Sequence, residues 1–108
     1  MPNRQRTPEE LAFNATVGNN IKYIRKLNNF TQARVGKALF CTFQQIQKFE
    51  KGANGVSALK LKQLAELFKL RADGIIDPNF IEYHRGLTLR NEAKDFEHTI
   101  QMEKPCQS

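Results

Sequence analysis

Residues 42–48 carry a row of side chains that can make hydrogen bonds in more than one direction. The segment reads TFQQIQK, and its polar members are Thr42, Gln44, Gln45, Gln47 and Lys48. A glutamine amide offers an acceptor oxygen and two donor hydrogens in one plane, and a lysine adds a charged donor. Such groups suit noncovalent recognition of a polar surface. They do not include the nucleophile with an adjacent base that covalent catalysis needs.

Two short helices, joined by about three residues, are predicted to hold this row in place. Thr31 and Thr42 are N-cap candidates for the two helices, and Gly52 ends the second. Gly36 is the small residue that two closely packed helices require. The two helices also need apolar residues facing the domain, which are Val35, Leu39, Cys41, Ile46 and Phe49. This is the layout of a helix-turn-helix.

Further helices are predicted on both sides of this pair. Thr7, Pro8 and Glu10 form a capping-box start for a helix that runs to about Asn28. The Gly-Asn-Asn sequence at 18–20 leaves open whether this helix is broken in two. Ser57 caps a helix to about residue 70, and Ile75-Ile76 allow one further helical turn.

Apolar residues recur at helical spacing in every segment up to residue 70, which predicts an all-α fold without strands. In the first helix, four apolar side chains lie close to helical spacing. In the helix after Ser57 a second apolar set packs inward, and three residues after Pro78 are expected to cover the lower edge of the core. The first helix has Val17, Ile21, Ile24 and Leu27, and the helix after Ser57 has Leu61, Leu64, Ala65, Leu67 and Phe68. The residues after Pro78 are Phe80, Ile81 and Tyr83.

A last amphipathic helix is predicted from about Leu87. Leu89, Ala93, Phe96 and Ile100 are spaced four, three and four residues apart, as in a heptad seam. A lone helix of this length is marginal in water, so it must dock on its own domain or on a second copy, and the sequence leaves both open. The predicted organisation is a basic arm at 1–7, a domain at 8–76 and a C-terminal extension at 77–108.

Composition and charge limit the classes of function. The 108 residues suffice for one domain, and no apolar run approaches the ~20 residues of a membrane helix. The polar N-terminal decapeptide predicts no secretory signal, which favours a cytoplasmic setting with Cys41 and Cys106 as free thiols. Residues 1–70 hold 12 basic and 4 acidic side chains, a net charge of +8, whereas residues 71–108 have a net charge of −2. The basic part favours a polyanionic partner.

Metal and cofactor sites are not expected. The sequence has no CxxC, no closely spaced Cys/His group and no glycine-rich phosphate loop. His84 and His98 lie 14 residues apart in polar surroundings, so both are expected to be solvated imidazoles. The prediction is a protein that is not an enzyme.

The stretch from Val17 to Leu70 resembles the Cro/CI-type, or XRE-like, helix-turn-helix family of phage and bacterial transcriptional regulators. Four segments carry the resemblance in order: GNNIKYIR from Gly18, Thr31-Gln32, TFQQIQKFEKG from Thr42, and LKQLAELFKL from Leu61. The TFQQ start resembles a subgroup common in proteobacterial regulators. The resemblance implies a lambda-repressor-like bundle of about five helices, followed here by the amphipathic C-terminal extension.

The resemblance also implies roles for individual residues. Base-reading positions are Thr42, Phe43, Gln44 and Lys48, with Gln45 and Gln47 as secondary candidates. Gln32 is the usual phosphate clamp, and further phosphate candidates are Arg34, Lys37, Lys51, Asn54 and Ser57. Apart from the resemblance, the loose basic arm with Arg4 and Arg6 is expected to be a disordered tail, with contact along the DNA backbone or a minor groove as the alternative. Arg25 and Glu50 are implied to form a structural ion pair.

One position departs from the family pattern. Phe40 stands where the family usually has Gly in a left-handed turn. A bulky residue in that conformation costs about 1 kcal/mol. Either the turn is reshaped, or Phe40 offsets the strain by packing.

The expected function is that of a sequence-specific DNA-binding regulator, a repressor, which inserts the helix starting at Thr42 into the major groove as a homodimer. The Leu89–Ile100 seam would supply the dimer contact. The alternative is an antitoxin-like or adaptor protein whose main role is to bind a protein partner, through the C-terminal segment. Neither reading requires a cofactor or a membrane.

Overall fold

Five helices follow one another in the computed structural model, which describes residues 5–86. They are α1 (Pro8–Leu27), α2 (Gln32–Ala38), α3 (Phe43–Glu50), α4 (Ala58–Phe68) and α5 (Ala72–Ile75). Residues 80–86 are also helical, and residues 5–86 contain no strand. The all-α prediction is confirmed for this part of the chain. The predicted extension with Leu89, Ala93, Phe96 and Ile100, together with Arg4, His98 and Cys106, lies outside the described residues.

Side-chain caps start the first four helices where the sequence predicts them. The hydroxyl oxygens of Thr7, Thr31, Thr42 and Ser57 each accept a hydrogen bond from the backbone N–H three residues later, at 3.0–3.2 Å. Thr7 N–H also donates to Glu10 Oε1 at 2.8 Å, which completes the predicted capping box. Each cap contributes about 1 kcal/mol. The starting points of the helices are therefore encoded locally.

Helix α1 runs unbroken through Gly18, Asn19 and Asn20, where a break was possible. The buried Asn20 side chain does not compete with the helix, because its Nδ2 donates to the Ile75 and Asp77 carbonyl oxygens at 2.7 and 2.9 Å. Its polar group thus ties α1 to the end of α5. Leu27 shares the helical spacing of the buried residues Val17, Ile21 and Ile24, but it ends α1 and is 53% exposed.

The core lies where α1, α2, α3 and α4 meet. Its side chains come from every helix and agree with most of the apolar spacing of the sequence. Helix α4 ends at Phe68, two residues before the predicted end, because Lys69 adopts a left-handed conformation with φ 56°. The buried apolar residues are Val17, Ile21, Ile24, Val35, Leu39, Ile46, Phe49, Leu64, Ala65 and Ile75.

The residues after α5 pack on the outer side of α1. The Tyr23 hydroxyl lies 2.9 Å from His84 Nδ1, and the Phe80 ring stacks on the His84 ring with centroids 5.9 Å apart. The prediction of a solvated His84 is therefore wrong, because Tyr23 and Phe80, which are distant or unpatterned in the sequence, pack against its ring. Phe80 is partly buried as expected, but Tyr83 is 64% exposed and does not cover the core.

A surface ion pair marks the start of α5. Arg71 Nε donates to Asp73 Oδ1 at 3.1 Å, and this hydrogen bond lowers the pKa of the Asp73 carboxyl. Stability from such a lowered pKa is present at neutral pH and is lost as the pH falls through it. Both side chains are exposed, so the contribution is small. No helix within residues 5–86 is long and apolar enough to cross a membrane.

Gly18 tests the packing of α1 on α3 directly. A Cβ at this position would lie 2.2 Å from the Phe49 carbonyl oxygen and 2.8 Å from that of Glu50. Because both neighbours are backbone atoms, Gly18→Ala must move one helix, and we expect a loss of about 2–3 kcal/mol in urea unfolding. Gly74→Ala is the matched helical control, since its Cβ would meet only Phe80 at ordinary contact distance. Equal stability of the two variants would contradict this packing.

Candidate nucleic-acid interface

Helix α3 has one buried side and one side open to solvent. Ile46, Phe49 and Glu50 are buried. Gln44 and Lys48 are exposed, and at four residues apart they lie one above the other on the opposite side of the helix. Three residues beyond Lys48, Lys51 continues the same exposed row. A straight stripe of one amide and two ammonium groups therefore faces away from the domain.

The other candidate base-reading residues flank this stripe. Thr42 is exposed, but its hydroxyl already accepts from Gln45 N–H as the cap of α3. Gln45 is exposed, and the ring of Phe43 is 46% exposed. Gln47 is half-buried, so its side chain is less accessible to an external partner. The six candidates thus lie on one helix but differ in how far they are free to contact a partner.

A close backbone approach sets the position of α3 relative to α2. A Cβ on Gly36 would lie 2.7 Å from the Cys41 carbonyl oxygen, and Cys41 N–H donates to the Gly36 carbonyl at 2.8 Å. Val35 and Leu39 of the same helix segment are fully buried. The small residue that the sequence analysis requires at position 36 therefore has a defined contact, the chain at the entry to α3.

A buried ion pair joins α3 to α1. Arg25 Nε lies 2.5 Å from Glu50 Oε2, and Arg25 Nη2 donates to Oε1 of the same carboxylate at 3.1 Å. The two side chains are 10% and 3% exposed. Arg25 Nη1 also donates to the Phe30 carbonyl oxygen at 2.9 Å. These are the two residues that the resemblance assigns to a structural ion pair, and the bidentate geometry fixes the C-terminal end of α3.

Gln32 completes this network from α2. Its Nε2 donates to Glu50 Oε1 at 3.0 Å, so the Glu50 carboxylate accepts hydrogen bonds from two helices. Gln32 is half-buried at the start of α2. Its side chain is therefore held in a defined place at the rim of the α3 surface, a contact that the sequence analysis did not foresee because the partners are 18 residues apart.

The candidate phosphate ligands differ in their surroundings. Lys37 and Lys51 are exposed, whereas Asn54 is half-buried. Arg34 is exposed, and its guanidinium lies 3.8 Å from the centroid of the Phe30 ring. The exposed Ser57 uses its hydroxyl to accept from Lys60 N–H. None of these positions is buried away from an approaching polyanion.

Two further basic residues, one of them from the predicted basic arm, join distant segments of this surface. Lys60 Nζ donates to the Leu39 carbonyl oxygen at 2.6 Å and so joins α4 to the end of α2. Arg6 Nη1 donates to the Ala53 carbonyl oxygen at 2.8 Å, which places one residue of the predicted basic arm against the loop after α3. Sequence spacing carries no signal for either contact, since each is made between distant segments.

Residues 26–65, which include α2 and α3, carry a strong excess of basic side chains. Residues 26–65 contain a single acidic side chain, Glu50, and that carboxylate is buried and paired with Arg25. Surface charge in this part of the chain is therefore entirely positive. Its seven basic residues are Lys26, Arg34, Lys37, Lys48, Lys51, Lys60 and Lys62. Of these, Lys62 pairs with Glu66 just beyond the stretch, with Nζ 3.3 Å from Oε2. Among residues 5–86, no group of three His, Cys, Asp or Glu side chains is placed to hold a metal ion.

Phe40 keeps the left-handed turn between α2 and α3. Its φ is 58°, so the turn is not reshaped to suit a bulky residue. The side chain is 86% exposed, so packing within the described residues does not offset the strain either. Neither a reshaped turn nor packing of the ring is therefore seen within residues 5–86.

Comparison with known proteins connects this arrangement to a family. A family model described as Helix-turn-helix matches residues 21–75. The uncharacterized HTH-type transcriptional regulator y4wC of Sinorhizobium fredii is 42% identical over 89 residues, which cover 82% of this chain and 58% of that protein. The regulator y4aM of the same organism, also uncharacterized, is 43% identical over 54 residues, which cover 50% of this chain and 38% of that protein. The chain thus matches 58% or less of the length of either relative.

A solved structure supports the fold. The crystal structure of the clp gene regulator ClgR from Corynebacterium glutamicum matches with a TM-score of 0.57 and covers 87% of this chain and 96% of that one. The two sequences are 15% identical, so the likeness is one of fold.

Removing one member of the buried ion pair tests its structural role. Glu50→Gln leaves the Arg25 guanidinium buried without a counter-charge, and we expect a loss of about 3–5 kcal/mol in urea unfolding. The double variant Arg25→Met with Glu50→Leu removes both charges and is expected to recover most of that loss. A single variant as stable as the parent would show that the pair does not hold α3.

Proposed function

The chain belongs to the XRE-type helix-turn-helix family, and on that basis we propose that it is a sequence-specific DNA-binding transcriptional regulator that inserts α3 into the major groove. The single observation that carries the proposal is the exposed stripe of Gln44, Lys48 and Lys51 on a helix whose opposite side is buried. The excess of basic side chains in residues 26–65 favours a polyanionic partner. The proposal requires no cofactor and no catalytic step.

The dimensions of α3 suit the groove. Its eight residues make a helix about 12 Å long, with a diameter of about 10–12 Å including side chains. The major groove of B-DNA is about 12 Å wide and displays a different donor and acceptor pattern for each base pair. A helix that enters it with Gln44 and Lys48 foremost can therefore read sequence directly.

Each exposed residue of α3 has a matching base edge. The Gln44 amide can accept from adenine N6 and donate to N7, and Lys48 can donate to guanine O6 and N7. Phe43 and Thr42 can contact a thymine methyl group. Gln45 and Gln47 are secondary contacts in this proposal.

Residues around α3 would hold it in register through the phosphates, which carry no sequence information. Gln32 is the central member, because its side chain is fixed by Glu50 and retains an amide oxygen and a second N–H. The remaining members we propose are Arg34, Lys37, Lys51, Asn54 and Ser57.

We further propose that two copies bind one operator in the cytoplasm and repress transcription by occupying it. Symmetric dimers of such modules place their recognition helices about 34 Å apart, one turn of DNA. The dimer contact is assigned to the heptad seam of Leu89, Ala93, Phe96 and Ile100. These residues lie outside the described part of the chain, so this step rests on their spacing.

Two matched variants separate base reading from phosphate binding. Duplexes that bind the protein are first selected from a random pool. Gln44→Ala is expected to weaken discrimination at one base position by about 1–3 kcal/mol without changing the salt dependence. Lys37→Ala is expected to weaken all sequences alike and to lower the slope of log K against log salt by about 0.9. If both variants retain the parent's affinity for the selected duplex, the assignment of α3 fails.

The seam is tested in the full chain. Phe96→Asp with Ile100→Asp places charges on the proposed contact, and sedimentation equilibrium is expected to show a monomer with weaker operator binding. His98→Asp with Gln101→Asp introduces the same two charges off the seam and serves as the control. A persistent dimer with undiminished affinity in the seam variant would reject this role for residues 89–100.

A further inference from the structure

Phe40 combines a strained backbone with an exposed ring. Its φ of 58° lies in the left-handed region that favours glycine, and a side chain there costs about 1 kcal/mol. Its 86% exposure exceeds that of every other large apolar residue among residues 5–86. Within residues 5–86, Phe40 therefore stabilises the fold neither through its backbone conformation nor through burial of its ring.

The turn itself does not depend on the phenylalanine. Leu39 is fully buried, and its carbonyl accepts from Lys60 Nζ at 2.6 Å. Phe40 N–H donates to the Lys37 carbonyl at 3.3 Å, and Cys41 N–H donates to the Gly36 carbonyl at 2.8 Å. These contacts hold the backbone on both sides of position 40 and would form equally with glycine there. A strained backbone conformation that no stabilising contact within the fold offsets points to a role in function.

The surroundings of Phe40 indicate which partner the ring meets. Phe40 lies two residues before the cap of α3, Thr42, and three before the exposed Phe43, so it stands at the end of α3 that begins the proposed base-reading row. The surface charge of residues 26–65 is entirely positive, which favours DNA over a second copy of this basic surface. The apolar group that DNA displays in the major groove is the thymine C5-methyl.

We propose that Phe40 is a specificity-determining residue that packs its ring against a thymine methyl group at the edge of the site read by α3. This rests on the proposed function, and it adds a contact from the turn to the contacts made by the helix. An aromatic ring on a methyl group excludes water from both, and the loss of one such methyl corresponds to about a fourfold change in affinity. The proposal thus explains why an exposed phenylalanine occupies a glycine position.

Phe40→Gly separates this role from a structural one. The variant removes the ring and relaxes the backbone, so its Tm is expected to equal or exceed that of the parent. Its affinity for the selected duplex is expected to fall about tenfold, in line with the loss of a partly buried ring. Tyr83→Ala, which removes an exposed ring from another part of the domain, is the control and is expected to bind as the parent does.

Deoxyuridine scanning identifies the contact. Each thymine of the selected duplex is replaced in turn by deoxyuridine, which lacks only the methyl group. At one position, the deoxyuridine duplex is expected to bind the parent about fourfold more weakly than the thymine duplex does. Phe40→Gly is expected to bind these two duplexes equally.

The inference would be overturned if Phe40→Gly bound the selected duplex with full affinity, or if the loss caused by deoxyuridine persisted in that variant. It would also be overturned if Phe40→Gly had a lower Tm or an altered oligomeric state, since either would show that the ring contacts protein. If the parent selects no duplex at all, it is the proposed function that fails.

Discussion

The position of α3 depends on one carboxylate. Glu50 accepts hydrogen bonds from Arg25 of α1 and Gln32 of α2 while it sits at the end of α3, so a single buried group connects three helices. A buried charge is tolerated only with a partner and hydrogen bonds, and both are present here. Hydrophobic packing of Ile46 and Phe49 and the close backbone approaches at Gly18 and Gly36 hold α3 against its neighbours. The directed bonds to Glu50 add a fixed orientation at its C-terminal end.

The same carboxylate also shapes the charge of the surface. Glu50 is the one acidic residue between positions 26 and 65, and its pairing with Arg25 removes it from the outside. The basic residues of α2, α3 and the loop after α3 thus have no exposed acidic neighbour between positions 26 and 65, and Lys62 of α4 pairs with Glu66 just beyond that stretch. The Glu50 carboxylate therefore has two effects. Its hydrogen bonds orient the helix that carries Gln44 and Lys48, and its burial removes a negative charge from the surface beside them.

Features set by local chemistry could be predicted from the sequence. The caps at Thr7, Thr31, Thr42 and Ser57 depend on residues three positions away, and the inner faces of α2 and α3 follow from helical spacing. Contacts between distant segments could not be predicted in this way. Gly18 meets the carbonyls of residues 49 and 50, Asn20 bonds across to Ile75, and His84 finds Tyr23, none of which leaves a periodic trace. The exposure of Phe40 likewise emerges only from the assembled turn.

The central claim is that the exposed side of α3 makes the contacts with DNA. Its most direct test is a nuclear magnetic resonance titration of the full chain with a selected duplex, which follows the side-chain amide signals of Gln44, Gln45 and Gln63. Large shifts are expected for Gln44 and smaller ones for Gln45, with Gln63 of α4 unchanged. If the Gln44 signals do not shift when the protein is saturated with the duplex, the exposed side of α3 does not make the contacts with DNA.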